Sequence, residues 1–223
     1  MQFLFCDKGG QDPLILEGEP FNYLFKVRRH RKERPINIRD SREPETLYTY
    51  EIESLNRREA KLKLIEKRET PEDMENISVG WCLPSIKTVE KTLPMLNELG
   101  VKKLYLIQCD FSQGNIKVDL ERLETILKNS SMQSGRIYQM EIEVLDSLDS
   151  FLEKESDIVS LDFVDEVLSS NDSFNSIVIG AEGGFSEDER DLIKERSIAS
   201  RRLPSKHILK SETAVISAVS RLL

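Results

Sequence analysis

Apolar and polar residues follow two different rhythms along the chain. Up to residue 69 the apolar positions come in short runs between charged turns: Phe3-Leu4-Phe5, Pro35 to Ile38, Thr46 to Ile52 and Glu59 to Ile65. The last two alternate apolar and polar residues in places, the period of half-buried antiparallel strands. Short strands with charged turns predict a small β-barrel over residues 1–69. Residues 70–76, rich in acids and turn formers, read as a linker. From Ile77 the rhythm becomes strand–helix alternation. Ile77 to Leu83 reads as a strand, and Ile86, Val89, Leu93, Leu96 and Leu99 recur at helical spacing, with Pro94 expected to interrupt that helix or to start a second one. Gly100 stands where a helix C-cap is wanted, before a strand over 101–107. A helix over 119–134 and strands over 139–144, 157–161 and 176–179 follow. The alternation predicts an α/β domain over 77–223 with a largely parallel sheet.

Composition narrows the function classes. With 39% hydrophobic and 32% charged residues, a folded domain is expected rather than a disordered chain. No run approaches the roughly 18 apolar residues of a spanning helix, so no membrane partner is expected. The first eight residues lack the pattern of a signal peptide, and a cytoplasmic protein is expected. Cys6, Cys82 and Cys109 form no disulfide framework or metal knuckle by spacing, and three buried reduced thiols are expected. Two histidines, His30 and His207, exclude a His-rich zinc site, and no metal is expected. G-x-S-x-G, H-E-x-x-H and Walker patterns are all missing. An enzyme of this composition borrows its reactivity from a cofactor.

The net charge of -8 is unevenly spread. Lys26, Arg28, Arg29, Arg31, Lys32 and Arg34 crowd one short run with a single acid, Glu33, on an otherwise acidic chain. Such a run engages several phosphates; the alternative is a solvated basic loop without a partner. The aromatic stretch Phe21 to Phe25 just before it tethers the run to a packed element.

The most informative stretch runs from Ser176 to Glu189. A buried strand ends at Gly180, a glycine turn follows, and Ser186 with Glu189 forms a capping box at a helix start. A glycine turn at the carboxyl edge of a parallel sheet is a usual ligand cradle. Glu182, Glu187, Asp188 and Glu189 argue against phosphate there and favour a neutral, zwitterionic or cationic ligand; a tight turn without a ligand is the alternative. A second polar stretch, Ser200 to Ala214, leads into a helix that Ser211 or Thr213 could cap. Its apolar face of Ala214, Val215, Ala218, Val219 and Leu222 must be buried, in the same domain or against a twin subunit.

Gly180-Ala-Glu-Gly-Gly-Phe-Ser186, followed by Ile208-Leu-Lys-Ser-Glu-Thr-Ala214, resembles the paired cofactor motifs of the SPOUT methyltransferases. The likeness is closer to the ribosomal RNA small-subunit methyltransferase E family, whose motifs read G-P-E-G-G-[FW] and I-L-R-x-E-T-A. Asn97-Glu-Leu-Gly-Val101 and Met132-Gln-Ser-Gly-Arg136 agree with that family's T-E-L-G-V and E-Q-S-G-R. Order and spacing match across most of the chain. Ala181 replaces the usual proline, Lys210 the usual arginine, and Pro204-Ser205 the usual Leu-Gly.

The resemblance implies a SPOUT α/β domain with a deep trefoil knot, preceded by a PUA-like β-barrel that binds RNA. It implies methyl transfer from S-adenosylmethionine to N3 of a uridine in 16S ribosomal RNA, on the small ribosomal subunit, by a homodimer joined through the knotted domain. The cofactor is expected among Leu161, Ile179, Gly180, Glu182, Gly183, Gly184, Leu203, Pro204, His207, Ile208, Leu209, Thr213 and Ala214. Arg136 is the candidate for orienting the uridine or stabilising its anion, with a structural salt bridge as the alternative, and Glu182 is a candidate proton acceptor. Gln133 and Arg136 join the cationic run as RNA-binding candidates. The rival functions are a SPOUT enzyme acting on another RNA nucleoside and a non-catalytic RNA-binding assembly factor.

Overall fold

The computed structural model describes residues 2–71, 76–112 and 117–223. Two compact units divide the chain: residues 1–73 with 128–138, and residues 74–127 with 139–223. Of the expected linker, residues 72–75 lie outside the described residues.

The first unit is a five-stranded sheet of β1 (Leu4–Phe5), β2 (Leu14–Glu17), β3 (Ile36–Asp40), β4 (Glu43–Leu55) and β5 (Glu59–Glu69), in the order β1-β3-β4-β5-β2. Only the β1–β3 pair is parallel. β4 and β5 form a long hairpin, closed because Asn56 Oδ1 accepts from the Arg58 and Glu59 amides, an Asx turn. One face carries Leu14, Leu16, Ile36, Ile38, Tyr50 and Leu62 into a core closed by Phe21 and Leu24 of the helical stretch between β2 and β3. β2 and that stretch, α1 (Gly18–Phe21) running into a π-helical turn (Asn22–Val27), were not among the expected elements. Leu14-Ile-Leu-Glu17 is too short a run for its period to show.

Residues 128–138 were expected in the second domain, yet they belong to this unit. Met132 and Ile137 are buried in its core, the Phe5 amide points at Met132 Sδ, and the Tyr138 hydroxyl donates to Glu45. A linear reading of the helical pattern cannot assign its two ends to different cores.

The second unit carries a parallel six-stranded sheet: β6 (Ser78–Cys82), β7 (Lys103–Ile107), β8 (Glu141–Leu145), β9 (Ile158–Leu161), β10 (Ser176–Ile179) and β11 (Ala199–Arg201). The order is β11-β9-β10-β6-β7-β8, and every pairing is parallel. The chain runs outward from β6 through β7 to β8, then crosses back to build the other half. The helices are α2 (Ile86–Glu98), α3 (Leu120–Ser134, whose end lies in the first unit), α4 (Leu148–Lys154), α5 (Glu187–Glu195) and α6 (Ser211–Leu222).

Four expectations are corrected or resolved here. Pro94 does not break α2, which runs unbroken to Glu98; burial of Val89, Leu93 and Leu96 outweighs the roughly 3 kcal/mol that an internal proline costs. Gly100 takes φ 88°, and the Val101 amide bonds back to Leu96 O, closing the helix as a C-cap does. Neither Ser211 nor Thr213 caps α6: its N-cap is Lys210 without a side-chain bond, and Ser211 Oγ accepts from Trp81 Nε1 at 2.7 Å. Val215, Ala218 and Val219 are buried inside the unit's own core, which settles that part of the helix face in favour of intradomain packing.

Cys82 and Cys109 are joined as a disulfide, with Cα atoms 5.4 Å apart, which corrects the expectation of three reduced thiols; only Cys6 is free and buried. Cys82 pairs in register with Ile107 on the neighbouring strand, so Cys109, two residues further on, comes alongside it. Register between strands is invisible in the spacing of cysteines. At the opposite, amino end of the sheet the Tyr105 hydroxyl donates to Glu155 at 2.6 Å, and burial pushes the phenol up to about 12.

Candidate active site

The strand order reverses between β6 and β10, and parallel sheets bind ligands beyond the carboxyl ends of strands at such a switch point. A cleft lies on that carboxyl edge, beside the switch point, past Leu161 at the end of β9, Ile179 at the end of β10 and Arg202 just after β11.

The turn after β10 forms because its glycines let backbone meet backbone. A Cβ on Gly180 would stand 2.7 Å from the Gly184 carbonyl carbon. Gly184 takes φ 79° and donates its amide to Ala181 O at 2.9 Å. Ala181 is buried and forms a bridge with Gly184, so its contribution is backbone, as the proline it replaces would supply.

α5 starts at once from this turn. Ser186 Oγ accepts from the Glu189 amide, and Glu189 Oε2 accepts from the Ser186 amide at 2.9 Å, the expected capping box. The buried Glu189 carboxylate does more: its Oε1 accepts from the Asp110 amide at 3.0 Å, while Ser186 Oγ donates to Asp110 Oδ2. Thus the segment after β7 is clasped to the turn after β10. One residue further, Arg190 donates twice to Asp162, at 2.6 and 3.1 Å, and the Phe163 amide donates to the same carboxylate at 2.8 Å. Hydrogen bonding to Asp162 raises the Arg190 guanidinium above its ordinary range.

The other wall comes from residues 202–214. Arg202 donates its amide to Glu166 O and accepts at its carbonyl from Leu168. Ser205 Oγ accepts from the His207 amide and donates to His207 O, at 3.0 and 2.9 Å. Where the family motif has Leu-Gly, a serine side chain therefore makes the turn.

Leu161, Ile179, Gly180, Glu182, Gly184, Leu203, His207, Ile208, Leu209 and Ala214 all line the cleft, with Asp162, Phe163, Ala181, Arg202, Ser205 and Ser211. Of the expected cofactor residues, Gly183, Pro204 and Thr213 are not among the lining residues. Gly183 faces the Phe111 ring, which a Cβ would meet at 3.1 Å, and Thr213 is an exposed position of α6. Asp162 and Phe163 were missed because their strand's place beside β10 is a matter of topology; the only sequence signal was their position just past a strand end. With Asp162 engaged by Arg190, the main-chain groups, the apolar walls, the Glu182 carboxylate and the Arg202 guanidinium together suit a zwitterionic ligand better than a dianion.

The cationic run lies in the first unit. Lys26 ends the π-helical turn, and Arg28, Arg29, Arg31, Lys32 and Arg34 follow in the loop before β3, all exposed. Arg28 bonds the Tyr23 hydroxyl at 2.9 and 3.0 Å and lies 5.2 Å from the ring centroid. His30 Nε2 pairs with Arg34 O at 3.0 Å. Among the described residues none of the six cations is ion-paired with a carboxylate. Gln133, in the last turn of α3, donates to Asn129 O, and Arg136 follows the left-handed Gly135; both belong to the first unit.

Comparison with known proteins gives a consistent picture. Residues 71–223 match the RNA methyltransferase domain family. The chain is 38% identical to a ribosomal RNA small subunit methyltransferase E from Helicobacter pylori, over 99% of this chain and 98% of that protein. It is 26% identical to a protein of the same name from Aquifex aeolicus, covering 97% and 96% of the two chains. The fold is similar to the crystal structure of a ribosomal RNA small subunit methyltransferase E from Neisseria gonorrhoeae bound to S-adenosylmethionine, with a TM-score of 0.80, 19% identity, and coverage of 99% and 95%.

Because the cleft depends on contact between Gly180 and Gly184, Gly180→Ala is expected to weaken S-adenosylmethionine binding at least tenfold in calorimetric titration. Unchanged affinity would show that the turn does not shape the ligand site.

Proposed function

The chain belongs to the ribosomal RNA small subunit methyltransferase E family, S-adenosylmethionine-dependent RNA methyltransferases, and from that we propose that it methylates N3 of a uridine in 16S ribosomal RNA. The observation that carries the reading is the gathering of the Gly180–Gly184 turn, Leu203 and residues 207–209 round one cleft at the sheet's carboxyl edge.

The residues fit the cofactor. A cradle whose glycines leave no room for side chains exposes main-chain donors and acceptors for an adenine, while Leu161, Ile179 and Leu209 offer apolar walls. The exposed Glu182 carboxylate complements a positive charge. Bound S-adenosylmethionine supplies a methyl group made electrophilic by its sulfonium. The chain's own residues fix the geometry of attack, where orientation within bonding reach supplies much of the acceleration. A neutral N3 carries a proton that has to leave, and the exposed carboxylate of Glu182, on the cleft wall, is our choice of acceptor. To Arg136 we assign orientation of the uridine or stabilisation of its anion.

We read the first unit as a PUA-like barrel and the second as a trefoil-knotted SPOUT domain. Supporting the first are the mainly antiparallel sheet and its basic loop. Supporting the second are the order β11-β9-β10 and the return of residues 203–209 to the ends of β9 and β10. Lys26 to Arg34, with Gln133, grip the RNA backbone and give register rather than base choice. The working form is a homodimer through the second unit; Phe163 and Ile208, 73% and 83% exposed at the cleft, are apolar surface for such a contact.

Three measurements test this. RNA from cells lacking their own enzyme, methylated by the protein and mapped by nucleoside mass analysis, is expected to gain N3-methyluridine in 16S ribosomal RNA; a different modified nucleoside, or none, defeats the assignment. Replacing Arg28, Arg29 and Arg31 with Ala is expected to weaken RNA binding and to lower its salt slope by about 3, near 0.9 per phosphate contact on a duplex, with cofactor affinity unchanged. Unaltered RNA affinity removes the loop from the interface. Sedimentation is expected to give a dimer at micromolar concentration, and a monomer argues against the shared interface.

A further inference from the structure

Phe111 is a half-exposed aromatic ring, 54% accessible, at the same carboxyl edge of the sheet as the cleft. Its own packing is slight, but its backbone is held on both sides. The Asp110 amide donates to buried Glu189, and the Asp110 carboxylate accepts from Ser186. Ser112 Oγ accepts from the Cys109 amide at 3.0 Å and donates to Ile107 O at 3.3 Å. Cys109 itself is bonded to Cys82 at the end of β6. On its inner side the ring rests on Gly183, where a Cβ would meet Phe111 Cδ2 at 3.1 Å.

The turn therefore has two sides. Gly180, Ala181, Glu182 and Gly184 line the cleft, whereas Gly183 does not and carries the ring. An exposed apolar side chain usually gains little from being fixed. Here the disulfide, the Asp110 clasp and the Ser112 bonds fix the segment that presents it, at the turn that forms the methyl donor's wall. Asp110 precedes the ring and Glu182 precedes Gly183, while Arg190 beside Gly184 is engaged by Asp162, so a phosphate is not what this surface attracts.

We propose that Phe111 is the stacking platform for the acceptor nucleobase. The inference rests on the RNA methyltransferase reading and deepens it. N3 lies on the pairing edge of a uridine, so the acceptor has to be unpaired when it is methylated, and a base taken out of its stack is held by stacking on aromatic side chains. The ring gives a face to the base while leaving the pairing edge free to approach the cleft. Stacking is tolerant of base identity. Phe111 accordingly sets the plane and reach of the base, and choice of uridine falls to other groups.

The test uses the full-length protein, S-adenosylmethionine and unmethylated ribosomal RNA. Phe111→Ala and Phe111→Leu are both expected to lower kcat/KM for RNA about ten- to a hundredfold, and Phe111→Trp to keep it near the wild-type value. Calorimetric affinity for S-adenosylmethionine and the unfolding midpoint are expected to stay at wild-type values in all three variants. Full activity of Phe111→Leu would overturn the proposal, since a saturated side chain then serves as well as a ring. A loss of cofactor affinity in step with activity would overturn it too, making Phe111 a prop for the turn. Wild-type protein that methylates no ribosomal RNA would defeat the functional reading itself, and the stacking role with it.

Discussion

The second unit is organised round one close approach of main chain to main chain, between Gly180 and Gly184. Separations of 2.7 to 2.9 Å from a would-be Cβ leave no room for any side chain, so the chain can reverse directly off the end of β10 only with glycine there. That reversal aims the first turn of α5 back across the sheet edge. Glu189 can then reach the Asp110 amide beyond β7, and Arg190 can reach Asp162 beyond β9. The exits of three strands are tied through two consecutive helical residues. Charge-assisted bonds of this kind, partly shielded from water, contribute about 1.5–3 kcal/mol each. The Cys82–Cys109 bond adds a covalent tie between the exits of β6 and β7. The turn after β10 and the exit of β9, which both line the cleft, are thus tied to the frame of the sheet.

Charge is distributed differently in the two units. The run from Lys26 to Arg34 is exposed and, among the described residues, without a carboxylate partner, although the chain carries a net charge of -8. Local positive density, not total charge, determines where a polyanion settles. At the turn after β10 the opposite holds. Glu187, Asp188 and Glu189 occupy the first turn of α5, where the helix dipole already favours negative charge. That end of the helix is satisfied and repels phosphate. An acidic surface of this kind disfavours a polyanion and tolerates a cationic centre.

Much of this was legible in the sequence, for definite reasons. The capping box at Ser186 and Glu189, the C-cap at Gly100 and the strand–helix rhythm are local patterns, and each formed as expected. The two motif stretches, at 180–186 and 208–214, meet at one cleft because both follow strands on the same side of the switch point. What escaped were relations fixed only by three-dimensional neighbours. Cys82 and Cys109 pair through strand register, Asp162 joins the cleft through the position of β9, and Ser211 gives its hydroxyl to Trp81 instead of to its own helix. Met132 and Ile137 look like the tail of an amphipathic helix and its exit, yet their burial is in the first unit. The persistence of α2 through Pro94 shows tertiary burial overriding a local rule.

The last helix links stability to the site. Val215, Ala218 and Val219 are core residues of the second unit, while Ser211 and Ala214, in the first turn of the same helix, line the cleft. Trp81, fully buried on β6, donates its indole N–H to Ser211, so the wall of the cleft is anchored to a central strand. A buried indole left without its acceptor would lose about 1–3 kcal/mol, and the helix start would lose its reference point. Ligand held against Ser211 and Ala214 is therefore held against an element whose other face closes the core. Binding to such a surface favours the folded state by mass action, and it does so where the chain's final segment joins the sheet. Cleft wall and core packing are in this sense one structure, built from two faces of a single helix.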